Sequence, residues 1–349
     1  MGMNPPVHRL LLIKPSSLGD IVHTLPTLNA LKTRFPRAAV TWLVKRQWAE
    51  LVERVEGVDQ ICSVDGGLSG WLAQVPQLRA GHFDLVIDLQ GLFRSGVMAW
   101  LSGCAWRVGL ANAREGSPFF YTHRVAVPPV AMHAVDRYLL VAAALGADRS
   151  DPPQFRFRQR EEDRQEVVAL LKQHGLNPHK AWIAMNVSAR WVTKRWPAEH
   201  FAHTADRLSQ DGLGPVVFIG GVLEREDAGR VMRQMHSKAV DLTGQTTVGL
   251  LPSLLQKAVA LVTNDSGPMH IAAAVGTPVV ALFGPTDPVR TGPYGHGHTV
   301  LTHDVPCRPC LSRHCHYTIP LACLSGVNAD RVVRAVRESM QKKPVVSTT

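Results

Sequence analysis

Short apolar runs bounded by turn-forming residues recur along the chain at Leu10–Ile13, Val40–Val44, Leu85–Leu89, Trp182–Asn186, Val216–Ile219, Ala258–Thr263 and Val279–Phe283. Runs of that length between turn residues are the usual form of buried strands. Helix-like segments lie between them, among them Ala134–Leu145, Ala198–Leu208 and Gly267–Val275. The alternation predicts βαβ units, and therefore parallel sheets, in both halves of the chain. Between the halves, "GADRSDPPQFRFRQREED" is polar, holds two prolines and ends in a helix start near Glu161. A boundary there gives domains 1–155 and 156–341, followed by a tail, 342–349, expected to be disordered. No internal sequence repeat is apparent. The fold class expected is α/β, with two doubly wound domains and a ligand between them at the carboxyl ends of both sheets.

At 349 residues the chain exceeds what one hydrophobic core usually serves, which agrees with two domains. A hydrophobic content of 45% with 19% charged residues fits a soluble globular protein. The formal net charge of +10 points to acidic partners: nucleic acid, anionic lipid headgroups, or nucleotide and phosphate ligands. Against nucleic acid, the basic residues are dispersed and no aromatic-interleaved basic stripe appears. No stretch approaches the roughly 20 apolar residues of a membrane span. The run "LLLI" is too short for a signal-peptide core, so the expected location is cytoplasmic, with a positive surface able to lie against a membrane.

The first candidate chemistry lies in "RLLLIKPSSLGDIVHTLP", Arg9 to Pro26. A strand gives way to Ser16, Ser17 and Gly19, and Gly19 permits a tight turn into a helix. Asp20 then stands at or near the helix start, either as an N-cap or as a base facing the ligand crevice. Pro26 should kink or restart that helix.

Three further groups stand at strand ends in the second half. "NVSARWVTKRWP" places Ser188, Arg190, Lys194 and Arg195 before a helix opened by Pro197, which suits a phosphate site or a solvated basic loop. "FIGGVLERED" places Glu224 and Glu226 where acids accept from ribose hydroxyls or favour a helix dipole. "VTNDSGPMHIAAAVGTPVVALFGPTDP" ends a buried strand in Asn264 and Asp265, turns at Ser266–Gly267 and starts a small-residue helix at Pro268 that holds His270. The backbone N–H groups there suit an anionic leaving group, although Asp265 as a cap and His270 as a core histidine are open readings.

Six cysteines are present. Cys62 and Cys104 read as buried small apolar residues. Cys307, Cys310, Cys315 and Cys323 follow a C-x2-C-x4-C-x7-C spacing in a proline-bearing loop, and are either reduced free thiols or a structural zinc or iron site.

In their order and spacing, "KPSSLGDIVHTLP", "TKRWP", "NDSGPMHIAAAVGTP" and "FGPTDPVRTGPYG" resemble the family 9 glycosyltransferases, the ADP-heptose:lipopolysaccharide heptosyltransferases. "LQGLFRSG" and the stretch from Ala113 to Gly146 look like the heptosyltransferase I branch, whereas the Cys-rich loop looks more like the heptosyltransferase II branch. The resemblance implies a GT-B fold, two Rossmann-like domains facing a central cleft. It implies an inverting transfer of heptose from ADP-heptose to a Kdo hydroxyl on the lipid A inner core, with no cofactor required, at the inner face of the inner membrane. By the same resemblance Asp20 matches the general base, with Ser17 and Gly19 bringing it close to the acceptor. Lys194 matches the diphosphate-binding lysine, with Ser188 nearby. Asp265 matches the residue holding the donor sugar, and Ser266, Gly267 and His270 lie beside the phosphates. Glu224 or Glu226 matches the ribose acid, Gln245 falls near the adenine side, and Arg94 and Arg114 match residues meeting the acceptor's acidic groups. A family 9 enzyme for another sugar nucleotide or acceptor, a sugar-nucleotide epimerase, and a nucleic-acid-binding protein with a Cys-metal knuckle are the rival readings.

Overall fold

The computed structural model describes residues 6–148 and 152–342. Three residues of the expected linker, Arg149 to Asp151, and all but the first residue of the expected disordered tail lie outside them. The chain divides after Arg158 into two compact units.

The first unit holds six strands: β1 (Arg9–Ile13), β2 (Ala39–Lys45), β3 (Gln60–Val64), β4 (Leu85–Asp88), β5 (Arg107–Leu110) and β6 (His123–Val125). They form one parallel sheet in the order β3-β2-β1-β4-β5-β6. The second unit holds β7 (Ile183–Asn186), β8 (Val216–Phe218), β9 (Val240–Asp241), β10 (Ala260–Asn264), β11 (Val279–Leu282) and β12 (Thr299–Leu301). Its parallel sheet runs β12-β11-β10-β7-β8-β9. Numbered within each unit, both sheets read 3-2-1-4-5-6, the doubly wound order of dinucleotide-binding domains. The order reverses between the first and fourth strands, where a crevice opens beyond their carboxyl ends. In the first unit that point is marked by the register Ile13 to Asp88, in the second by Asn186 to Thr263.

All seven strands expected from apolar runs are present. Five more exist among the described residues, and four of these, β3, β6, β9 and β12, are sheet edges. Edge strands meet a neighbour on one side only and are short, so "HRV", "VD" and "TVL" carry no apolar run to read. The central strands are covered on both faces, and Leu11, Leu12, Ile13, Val86 and Ile87 are fully buried.

Of the two outcomes expected at Pro26, a restart of the helix does not occur. The helix Leu18–Arg34 runs through it without restarting. Proline removes a backbone donor to the residue four positions earlier, at a cost of about 3 kcal/mol. Pro26 and its neighbours Leu25, Thr27 and Leu28 are buried, and that packing holds the helix together.

Candidate active site

In the first unit β1 stops at Ile13, and Lys14 carries a charge into the end of the sheet while only 3% exposed. Its Nζ donates to the Leu89 carbonyl at 3.0 Å and to Tyr138 Oη at 2.9 Å. It also lies 3.9 Å from Asp20 Oδ1. Tyr138, on the helix Ala134–Ala144, donates in turn to Asp20 Oδ1 at 3.2 Å. The Ser17 N–H and hydroxyl donate to Asp20 Oδ2 at 3.0 and 2.7 Å. Asp20 is therefore not the N-cap that the sequence suggested. Ser17 holds that position, and Asp20, third in the helix, reaches back to it as the acid of a capping box does. Gly19 likewise is a buried helical residue rather than the turn itself.

This cage sets the charge states. Burial works to raise the Asp20 carboxyl, but Lys14, His23 and the two Ser17 hydrogen bonds outweigh it and hold the group well below the usual carboxylate range. Burial lowers Lys14, against the pull of Asp20 and Asp88. Burial and the neighbouring Asp20 raise the Tyr138 phenol well above its ordinary value, so it stays a donor. The Asp20 side chain keeps 35% of its surface open. Oδ2 takes two donors and Oδ1 one, which leaves Oδ1 able to accept another hydrogen bond.

Asp88 ends β4 beside this cage. It accepts from Tyr121 Oη at 2.7 Å and from the N–H groups of Gln90 and Gly91 at 2.8 and 3.1 Å. A Cβ on Gly109 of β5 would run into the Tyr121 ring, so glycine there lets the phenol reach Asp88. Burial raises the Asp88 carboxyl even though these hydrogen bonds oppose it.

Arg94 and Arg114 occupy the segments that follow β4 and β5, and both are exposed. Arg94 stacks 5.3 Å over Trp71, and the Arg114 N–H bonds the Gly91 carbonyl at 2.9 Å. Sequence reasoning missed Lys14, Tyr138, Asp88 and Arg137. Arg137 donates from Nη2 to Asn112 at 3.1 Å, and its buried Nε has no hydrogen-bond partner among the described residues. A lysine directly after the apolar run Leu10–Ile13 was a readable signal. Tyr138 was not, because its helical spacing is that of any core position.

In the second unit Asp265 follows β10 and is 6% exposed. It accepts from Lys194 Nζ at 2.6 Å and from Thr286 Oγ1 at 2.7 Å. Lys194 also stands 4.8 Å over Trp191, and Arg313 5.1 Å over the same ring. Asn264 pins the lysine's loop by accepting from Trp196 N–H at 2.9 Å and donating to the Val187 carbonyl at 2.8 Å. Ser266 caps the helix Gly267–Ala274, and its hydroxyl donates to Asn186 Oδ1, at the end of β7, at 2.9 Å. The first-turn N–H groups of that helix have no acceptor within it and suit an anion. His270 is buried on the same helix.

The two acids that sequence left open are separated by the fold. Glu224 turns inward, accepts from the Gly221 N–H at 2.9 Å and lies 3.5 Å from Asn186 Nδ2. A Cβ on Gly220 would collide with that carboxylate. Glu226 is 83% exposed and pairs with Arg230 one helical turn on. Ser188 is buried, and its hydroxyl donates at 2.8 Å to Asp227, the partner of Arg195. Gln245, just past edge strand β9, bonds His174 at 2.8 Å and the Asp241 carbonyl at 2.7 Å. The structure thus gathers Lys194, Asp265, Ser266 and Gly267, adds Asn186 and Thr286, and brings in Glu224 through Asn186. It does not bring Glu226 or the Ser188 hydroxyl to them.

Of the two readings of the four cysteines, the metal site has no support among the described residues. Cys307, Cys310, Cys315 and Cys323 line one pocket with Thr193 and Pro285. Yet among the described residues no three His, Cys, Asp or Glu side chains converge as a metal ion requires. Cys323 is buried in the short helix Ala322–Ser325, whereas the other three thiols are exposed on the preceding loop. That loop instead braces the lysine site: Thr193 Oγ1 donates to the Ser312 carbonyl at 2.9 Å and Arg308 Nε to the Gly284 carbonyl at 3.0 Å.

The sequence profile described as glycosyltransferase family 9 (heptosyltransferase) matches residues 71–319. The chain belongs to glycosyltransferase family 9. It is therefore an enzyme, a glycosyltransferase of the heptosyltransferase family. Lipopolysaccharide heptosyltransferase 1 of Pseudomonas aeruginosa is 31% identical to it over 335 residues, with 88% of each chain covered. Lipopolysaccharide heptosyltransferase 2 of Escherichia coli K12 is 27% identical over 308 residues, covering 84% of this chain and 87% of that one. A family 9 glycosyltransferase from Veillonella parvula has a similar structure, with a TM-score of 0.85 at 26% identity, covering 98% of this chain and 99% of that one. An E. coli heptosyltransferase solved with ADP has a TM-score of 0.75 at 24% identity, covering 95% and 99%, and shares the fold. Two Rossmann-like units are what the fold class expected of a family 9 enzyme. Among the described residues, no helix is long and apolar enough to cross a membrane.

Proposed function

We propose that this family 9 enzyme moves heptose from ADP-heptose to a Kdo hydroxyl of the lipopolysaccharide inner core, with inversion and without a required cofactor. The observation that carries this reading is Asp20: a partly open carboxylate just past the carboxyl end of β1, oriented by Ser17 and Tyr138 with an acceptor position on Oδ1 left free. In this reading the first unit binds the lipid A-Kdo acceptor through Arg94 and Arg114, and Asp20 takes the hydroxyl proton on Oδ1. The acceptor oxygen then attacks the anomeric carbon from the face opposite ADP, and the carbon–diphosphate bond breaks. The second unit binds the donor. Lys194 leaves Asp265 for the diphosphate and, with the N-terminus of the helix Gly267–Ala274, stabilises the charge of the departing ADP. Asp265, freed from the lysine, accepts from the donor sugar's hydroxyls. Glu224 is the ribose acid, because Glu226 faces solvent.

Names borne by relatives support a lipopolysaccharide core acceptor. A second reading, addition of the second heptose rather than the first, is favoured by the 27% identity to a heptosyltransferase 2. The expected site of action is the cytoplasmic side of the membrane carrying the acceptor.

Transfer assays with ADP-heptose on a Kdo-terminated acceptor and on one already bearing a heptose separate the two. Turnover on the Kdo-terminated acceptor alone supports the first. Turnover only with a different sugar nucleotide would sink both.

A further inference from the structure

Three neighbouring elements of the first unit expose apolar side chains that its core does not use. The helix Gly67–Leu72 buries Trp71 but turns out Leu68 and Leu72, 67% and 48% exposed. The helix Phe93–Leu101 turns out Phe93 and Trp100, 54% and 56% exposed and two turns apart on one face. The turn Ser117–Phe120 turns out Phe119, 81% exposed. Ring contacts join the three: Arg94 covers Trp71 at 5.3 Å, and Phe93 meets Phe120 edge-on at 5.5 Å. Phe93, Trp100 and Phe119 are the aromatic members of the large exposed apolar side chains among the described residues, and all three stand on these neighbouring elements.

The charge around the patch is mostly positive, with the Glu115 carboxylate accepting from the Phe93 N–H at 3.3 Å. From Gly91 to Arg124 the chain carries Arg94, Arg107, Arg114 and Arg124 against a single carboxylate, Glu115. Arg124 stands 5.8 Å over the Phe119 ring, which puts a cation beside the most exposed aromatic. Exposed aromatics with arginines brought beside them by the fold match the boundary between anionic headgroups and acyl chains, where rings sit in the interface and guanidinium groups meet phosphate. A second copy of this face is a poor partner, because a twofold contact would set arginines against arginines.

We infer that this face of the first unit, centred on Phe93, Trp100 and Phe119, docks on an anionic lipid bilayer. Phe93 opens its helix just past the carboxyl end of β4, the edge of the sheet that holds Arg94, Arg114 and the Asp20 crevice, and Trp100 continues the same helix face two turns on. A lipid-anchored acceptor then offers its sugar headgroup at that edge while its acyl chains stay in the bilayer. Only this last step rests on the proposed acceptor.

The test is co-sedimentation of the full chain with phosphatidylglycerol–phosphatidylcholine vesicles and with phosphatidylcholine vesicles. Binding to the anionic vesicles should fall at high salt and drop at least tenfold in the Trp100→Ser, Phe119→Ser double variant. The same variant should use an acyl-free, water-soluble acceptor at the native rate and lose rate on acceptor embedded in vesicles. Equal vesicle binding by native protein and variant would overturn the inference. So would a native dimer, seen by light scattering, that the variant dissolves. Absence of heptose transfer to any acceptor sinks the proposed function instead and leaves the vesicle result standing.

Discussion

Tyr138 Oη donates to Asp20 Oδ1 at 3.2 Å although 118 positions separate the two residues in the chain. The phenol is itself held by Lys14 Nζ at 2.9 Å, so one buried cation fixes the donor that fixes the carboxylate. Asp20→Asn is expected to lower heptose transfer by about 10²–10⁴-fold, the usual worth of a general base. Tyr138→Phe should lower kcat by roughly ten- to a hundredfold, since a hydrogen bond to a charged group is worth about 1.5–3 kcal/mol. ADP affinity should stay the same in both, as calorimetry can check. In an Asp20→Asn background the Tyr138 substitution should cost little further activity, and additive losses would show that the two act separately.

Lys194 and Asp265 pair at 2.6 Å with the carboxylate almost wholly buried. Lys194→Met leaves that charge with Thr286 alone, and removing one partner of a buried pair costs roughly 3–5 kcal/mol. Lower thermal stability together with weaker ADP binding is the expected outcome, measured by melting with and without ADP. A variant that melts like the native protein would show the pair is dispensable to the fold.

The acids of "LERED" should behave differently. Glu224→Gln is expected to raise the KM for the sugar nucleotide several-fold, because its carboxylate belongs to the strand-end cluster with Asn186. Glu226→Gln removes only an exposed pair with Arg230, worth about 0.3–0.5 kcal/mol, and should leave KM unchanged.

Asp88 gives a pH dependence with a definite sign. Its folded-state pKa is raised, chiefly by burial, so the folded chain holds that proton more tightly than the unfolded one. Its stabilising contribution is complete below the ordinary value of 3.8 and is lost as pH rises through the folded value. Asp88→Asn removes this loss, so the variant's stability relative to native protein should climb as pH rises above about 4. Asp20 acts oppositely: its lowered pKa contributes stability that is present above 3.8 and lost on acidification. Urea titrations across pH 4 to 7, a range of about three units, test the Asp88 sign.

Seven of the eight interior strands among the described residues were legible because parallel strands covered on both faces must be apolar at nearly every position, whereas β5, with Arg107 and Gly109 in its four residues, was not. "HRV" and "VD" were not, since an edge strand is specified by its single neighbour rather than by its own pattern. The two units share a strand order without a detectable sequence repeat, as expected when burial, not residue identity, fixes the topology. At the site, the motifs holding Asp20, Lys194 and Asp265 were legible as polar groups in segments that follow apolar strands. Their partners were not: Tyr138 and Thr286 are ordinary residues until the fold sets them 3.2 and 2.7 Å from those carboxylates.

By itself the sequence determined the class of fold, the places where chemistry collects and the surplus of positive charge, all of which are local properties of pattern and composition. Tertiary structure alone decided that Ser17 rather than Asp20 caps the first helix, that Glu224 turns inward while Glu226 does not, and that four cysteines share a pocket without converging. It also decided that Asp20 stays ionised. Each of these depends on distances between residues far apart in the chain, and a carboxylate's charge is set by the cation and donors that folding brings to it.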